Sequence, residues 1–215
     1  MSDQAGAPTA AVAEFVTVMR RLRAECPWKQ EQTHRSLVRY LIEEAYETVD
    51  AIDEAETGGD YDHLAEELGD LLLQVVFHAV IAEERGDFDL DDVARGITAK
   101  MRRRNPHVFG SDEAVEELTA EQVDERWQRI KAVERTGRPE DLPSALPALL
   151  YADKVLVRRD RSGLPPLPAA GPGDDLGRRL LGLVAEARAA GVDPEQALRD
   201  AVRALDVRDE KGEDR

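Results

Sequence analysis

The chain has 215 residues, enough for one core-bearing domain with an appendage or for two small ones, and its core must be largely aliphatic because aromatics make up only 5%. A formal net charge of −16 speaks against general affinity for nucleic acid or anionic membrane, since both rely on Lys and Arg. Cys26 is the single cysteine, which excludes an intrachain disulfide or a cysteine-rich zinc site and fits a cytoplasmic location, and no leader-like start or run of about 20 apolar residues is present.

In chain order, residues 1–9 read as a disordered start, and a helix is predicted over about 10–24, ended by Cys26-Pro27-Trp28. Val38, Leu41, Ile42, Ala45, Val49 and Ile52 recur at helical spacing and predict a second helix, closed by Gly58-Gly59. Asp60 is placed to cap a third, whose stripe of Leu64, Leu68, Leu71, Leu72, Val75, Val76 and Ala79 runs to the Arg85-Gly86 break. The next helix begins near Asp89 and ends in the basic run Lys100-Met101-Arg102-Arg103-Arg104, stopped by Asn105-Pro106. After a loop over 107–111, helices are expected over 112–117 and 120–135. The stretch 163–173, GLPPLPAAGPG, reads as a linker to a C-terminal helical piece over 174–206, and 207–215 as a charged tail.

No segment alternates with period two for long, so the expected fold class is all-α, an antiparallel helical bundle with short connections. The expected organisation is a main domain over 10–136, a connector and linker over 137–173, and the C-terminal piece. Residues 66–76, EELGDLLLQVV, are echoed by 174–184, DDLGRRLLGLV, with Arg178 where Asp70 stands. Either the second is a duplicate that has lost its acids, or two leucine-rich helices agree by chance.

Between Leu41 and Glu84 the chain carries fourteen acidic side chains and no Lys or Arg. Like charges about 5 Å apart repel by about 3 kcal/mol at an effective dielectric near 20, so a positive partner is expected between these helices. Glu44 with Glu47, and Glu67 with Asp70, are each spaced i,i+3 and flank the apolar stripes of their helices. Packing through those stripes would gather four carboxylates at one edge of the bundle. An all-oxygen donor set suits Mg²⁺ or Mn²⁺ better than zinc.

Three segments, CPWKQEQTHRSLVRYLIEEAYETVDAI, EELGDLLLQVVFHAVIAEE and KMRRRNPHVFG, lie in that order within roughly residues 12–135. Together they resemble the consecutive signatures of the MazG family of nucleoside triphosphate pyrophosphohydrolases. The family pattern E-E-x-x-E, spacer, E-x-x-D is matched by Glu43, Glu44, Glu47, Glu67 and Asp70. The resemblance implies a helical, usually homodimeric fold in which acid-held Mg²⁺ engages the phosphates of an NTP or dNTP, aberrant nucleotides among them, and water cleaves between the α and β phosphorus to leave a monophosphate and diphosphate. It implies Glu44, Glu47, Glu67 and Asp70 as metal ligands, and Glu43 as a further ligand or as a base that orients the water.

Lys100, Arg103 and Arg104 close a helix C-terminus, where the dipole favours cations. In the resembling family this segment lies near the phosphates, which implies a substrate-binding role for all three and charge balance by Lys100 and Arg103 as diphosphate leaves. Trp28, in a loop, either stacks on a nucleobase or packs against the bundle. His34, His63 and His78 read as structural or solvent-facing. Asn105 stands where relatives commonly have His, and Lys29 where an Asp is usual; both bear on substrate preference. YADKVLVRR at 151–159 and the segment 174–206 look like a shortened second copy without a second acidic set.

Two other functions compete. A di-iron carboxylate protein needs two Glu-x-x-His pairs, and only Glu31-Gln32-Thr33-His34 has that form. A non-catalytic helical scaffold or regulator is disfavoured by the intact acidic set. No P-loop or dinucleotide fingerprint occurs.

Overall fold

The structure is a computed structural model that describes residues 9–110, 118–134, 142–168, 171 and 173–210. Among the described residues every regular element is a helix, as the sequence periodicity predicts. No described helix is long and apolar enough to cross a membrane. Two compact units form, residues 1–131 and residues 132–215.

In the first unit, α1 (Thr9–Glu25), α2 (Pro27–Glu31), α3 (Val38–Gly58), α4 (Tyr61–Glu83), α5 (Leu90–Arg104) and α6 (Pro106–Phe109) follow one another, and α7 (Ala120–Glu134) ends at its border. The turn between α3 and α4 is dictated locally. Gly59 adopts a left-handed φ of 80°, open to glycine without a Cβ penalty, and its N–H donates to the Ala55 carbonyl at 2.9 Å. Asp60 then caps α4 by accepting from the His63 N–H at 3.2 Å. The reversal lays α4 antiparallel on α3, so that Glu54 meets His63, Thr48 meets Glu67 and Glu44 meets Gln74 in regular register.

The core lies towards the C-terminal half of α4. Met19, Leu37, Val76, Phe77, Val80 and Ile81 are buried together, with Phe15, Val16, Tyr40, Leu73 and Leu90 packed around them. Ion pairs from α1 close the end of this core. Arg20 grips Glu83 through two 2.9 Å bonds, and Arg23 grips Glu84 at 2.7 and 3.0 Å. Asp89 and Asp92 form a reciprocal capping box that starts α5.

One expectation about packing is corrected. The sequence pattern pairs α3 and α4 through their large aliphatic stripes, but the buried face of α3 is its narrow one, carrying Thr48, Ala51 and Ala55. Small side chains let two backbones approach closely, whereas the aliphatic stripe would hold them apart. Leu41, Ile42, Tyr46 and Ile52 of α3 and Leu68, Leu72 and Val75 of α4 are therefore left at the surface, Ile42 and Leu68 half exposed.

Three local expectations also change. Trp28 sits in α2, where Pro27 is favourable in the first turn, and not in a loop. The loop expected over 107–111 contains α6, again started by a proline. The helix expected over 112–117 lies outside the described residues.

The second unit holds α8 (Ala148–Arg161), α9 (Leu176–Ala189) and α10 (Pro194–Glu210). The stretch 137–173, expected as connector and linker, thus contains a helix, whose Leu156 is buried. Arg188 of α9 ties to Asp153 at 3.3 Å and Asp160 at 3.2 Å on α8. Within the piece expected over 174–206, Gly191, with φ of 71°, makes the turn between α9 and α10.

Candidate functional site

The seam between α3 and α4 is polar over half its length. Glu44, Thr48, Ala51 and Ala55 recur on α3 at intervals of four, three and four, and His63, Glu67, Asp70 and Gln74 do the same on α4. A helix that presents such a stripe turns all four side chains to one side. The carboxylates therefore point into the seam instead of lining its outer edge.

Glu44, Glu67 and Asp70, each partly buried, bring one carboxylate oxygen apiece within 4.8 Å of one another. The Glu44 carboxyl is held above its ordinary value of 4.5, first by burial and then by the charges of Asp70 and Glu47. Gln74, only 3% exposed, offers Nε2 to Glu44 Oε1 at 3.4 Å, a bond that lowers the same carboxyl. His63 spans Glu54 at 2.9 Å and Glu67 at 3.2 Å, and those partners raise its pKa. The buried hydroxyl of Thr48 donates to the Glu44 carbonyl at 2.8 Å and lies 3.4 Å from the Glu67 carbonyl.

This donor set fits a hard divalent cation. Three hard oxygens converge with no thiol among them, and the amide oxygen of Gln74 is buried beside them without a partner. Oxygens on opposite sides of an ion bound at about 2.1 Å are about 4.2 Å apart, so shifts below an ångström would close the group around Mg²⁺ or Mn²⁺.

The remaining predicted residues are distributed as follows. Glu47 is exposed one turn along α3 from Glu44 and outside the close group of three, yet near enough to raise the Glu44 carboxyl. Glu43 is exposed on α3. Lys100, Arg103 and Arg104 share the last turn and a half of α5, a different helix, and Arg104 places its guanidinium 5.5 Å from the centre of the Trp127 ring. Asn105 caps α5 by donating to the Met101 carbonyl at 2.8 Å. Trp28 is 47% exposed, edge-on to Tyr40 at 5.8 Å, with the Lys29 ammonium 5.5 Å from its ring and 4.9 Å from that of Phe77.

Thr48 and Gln74 were silent in the sequence-pattern argument, and their signal is the four-three-four spacing they share with the acids. His63, read as structural or solvent-facing, belongs to the site's rim. His34 and His78 are structural: their rings stack at 5.0 Å with Nδ1 atoms 2.7 Å apart.

Comparison with known proteins identifies the family in which this seam occurs. A model of the MazG nucleotide pyrophosphohydrolase domain matches residues 32–109, which include every residue of the seam. An uncharacterized 26.1 kDa protein of Streptomyces cacaoi is 45% identical over 211 residues, covering 93% of this chain and 84% of that protein. The nucleoside triphosphate pyrophosphohydrolase/pyrophosphatase MazG of Thermotoga maritima is 37% identical over 227 residues, covering 94% and 85%. The nucleoside triphosphate pyrophosphohydrolase of Escherichia coli K12 is 41% identical over 155 residues, and there the match spans 68% of this chain and 56% of that protein. With most of the Thermotoga protein covered at that identity and the acidic seam inside the matched domain, the chain belongs to the MazG family of nucleotide pyrophosphohydrolases.

Proposed function

We propose that this chain is a Mg²⁺-dependent nucleoside triphosphate pyrophosphohydrolase that converts an NTP or dNTP and water to a monophosphate and diphosphate, clears aberrant nucleotides, and works in the cytoplasm as a homodimer. Mn²⁺ serves as a substitute ion. The observation that carries this reading is the convergence of Glu44, Glu67 and Asp70 within 4.8 Å on two antiparallel helices. A polyanionic substrate is repelled by such a cluster on its own.

Glu44, Glu67 and Asp70 hold the ion, and Glu47 joins them from the next turn of α3. When bound, the ion neutralises phosphate charge and makes a water more acidic. Glu43, exposed on the same helix, orients the attacking water or adds a ligand. Lys100, Arg103 and Arg104 receive the triphosphate and offset the charge that develops on the departing diphosphate. Trp28, half exposed beside Tyr40, offers its ring to the nucleobase. The aliphatic side chains that α3 and α4 leave exposed support the dimer, because large apolar residues gathered on two neighbouring helices favour an interface.

A panel of ordinary, deoxy and oxidised nucleoside triphosphates, assayed for diphosphate release with Mg²⁺ or Mn²⁺, tests the reading. Metal-dependent release that is lost in Glu67→Ala and Asp70→Ala supports it. Release that persists in chelator, or in both variants, contradicts it.

A further inference from the structure

Gln74 lies on α4 one turn beyond Asp70 and is almost completely buried. Its Nε2 donates to Glu44 Oε1 at 3.4 Å, while its Oε1, shielded from solvent, has no hydrogen-bond partner. A buried amide oxygen left unpaired costs free energy, and an apolar side chain of the same length would fill the space without that cost. Two other side-chain donors along the seam are already engaged: Thr48 with the carbonyls of Glu44 and Glu67, and His63 with Glu54 and Glu67. Ionised carboxylates only accept. A donor that arrives with whatever the cluster binds would pair this oxygen, and a water carried by a divalent ion brings such an O–H.

We propose that Gln74 is a positioning residue of the metal centre: its N–H fixes the Glu44 carboxylate as a ligand, and its Oε1 accepts a hydrogen bond from a water on the bound ion. The inference rests on the metal-dependent reading above and goes beyond it by assigning a residue that is not itself a ligand. Outer groups that orient ligands typically govern metal affinity about 10- to 100-fold.

The test is Mn²⁺ titration of the full-length, metal-free protein, followed by the loss of the free-ion paramagnetic resonance signal, together with thermal unfolding in chelator. Gln74→Met keeps the length and volume of the side chain, and Gln74→Leu provides a second variant should the first fold poorly. The expected result is Mn²⁺ affinity reduced at least 10-fold while the metal-free variant melts at or above the wild-type temperature, because the unpaired oxygen is gone. Wild-type Mn²⁺ affinity in a folded variant that melts lower than wild type overturns the proposal and leaves Gln74 a packing residue. A wild-type protein that binds no Mn²⁺ overturns this proposal together with the metal-dependent reading, so the two failures are distinct.

Discussion

The hydroxyl of Thr48 reaches the Glu44 carbonyl on its own helix and the Glu67 carbonyl on the next, at 2.8 and 3.4 Å. One buried side chain thus sets the spacing between the two turns that carry opposite halves of the acidic cluster. Thr48→Val keeps the shape and removes the hydroxyl, and is expected to destabilise the protein by about 1 kcal/mol in urea unfolding. Thr48→Leu forces the backbones apart. It is expected to cost about 1–3 kcal/mol and to weaken Mn²⁺ binding more than Thr48→Val does, as read by titration.

Metal binding and turnover, measured on variants of Glu43 and Glu67, test whether the two differ in role. Glu67→Ala removes a member of the close group, and both Mn²⁺ binding and diphosphate release should be lost. Glu43→Gln, on the exposed side of α3, should keep Mn²⁺ affinity if Glu43 orients the water. Turnover should then fall by about 100-fold or more, the usual contribution of a general base. A parallel loss of affinity would make it a ligand.

Packing explains which parts of the fold and site are legible in the chain. Helix starts and stops follow from short-range chemistry, so Gly59, Asp60 and Asp89 mark their boundaries directly. The acids are legible because their i,i+3 spacing and the missing bases are local facts. Which face of α3 is buried is not local. The aliphatic stripe of Leu41, Ile42 and Ile52 has the larger transfer free energy, yet Thr48, Ala51 and Ala55 face α4 because backbone approach decides the pair. Gln74 and His63 gain meaning only once the opposing stripe is known. The helix α8 was hidden by the proline-rich surroundings that suggested a connector.

Glu44 gives a pH-dependent signature. Its carboxyl is raised by burial and by Asp70 and Glu47, so the folded protein holds that proton more tightly than the unfolded chain. Metal-free stability from this group is therefore full below the ordinary value of 4.5 and is lost as pH rises through the raised value. At neutral pH, Glu44→Gln should melt higher than wild type in chelator and should lose the stabilisation that Mn²⁺ gives wild type. Scanning calorimetry with and without Mn²⁺ checks both signs.

The His34–His78 stack works in the opposite sense. Burial, and secondarily His34, lower the His78 pKa, so the unfolded chain takes up a proton before the folded one does. The stability contributed is full above 6.5 and is lost as pH falls through that value towards the lowered one. His63, raised by Glu54 and Glu67, opposes this trend, so the informative quantity is the difference between wild type and His78→Gln. That difference should shrink between pH 7.5 and pH 5.5 in urea titrations.

The half-exposed aliphatic face of α3 and α4 sets the expected assembly. Leu68→Glu and Leu72→Glu place charge on that face, away from the polar seam, and should convert a dimer to a monomer by light scattering. A wild-type protein that is monomeric and fully active would remove the dimer from the account.

Anomalous diffraction at the manganese edge, from crystals grown with Mn²⁺, tests the convergence of Glu44, Glu67 and Asp70 most directly. The account predicts a peak bounded by oxygens from all three side chains. An active protein whose maps show manganese elsewhere, with these three carboxylates unliganded, would contradict it.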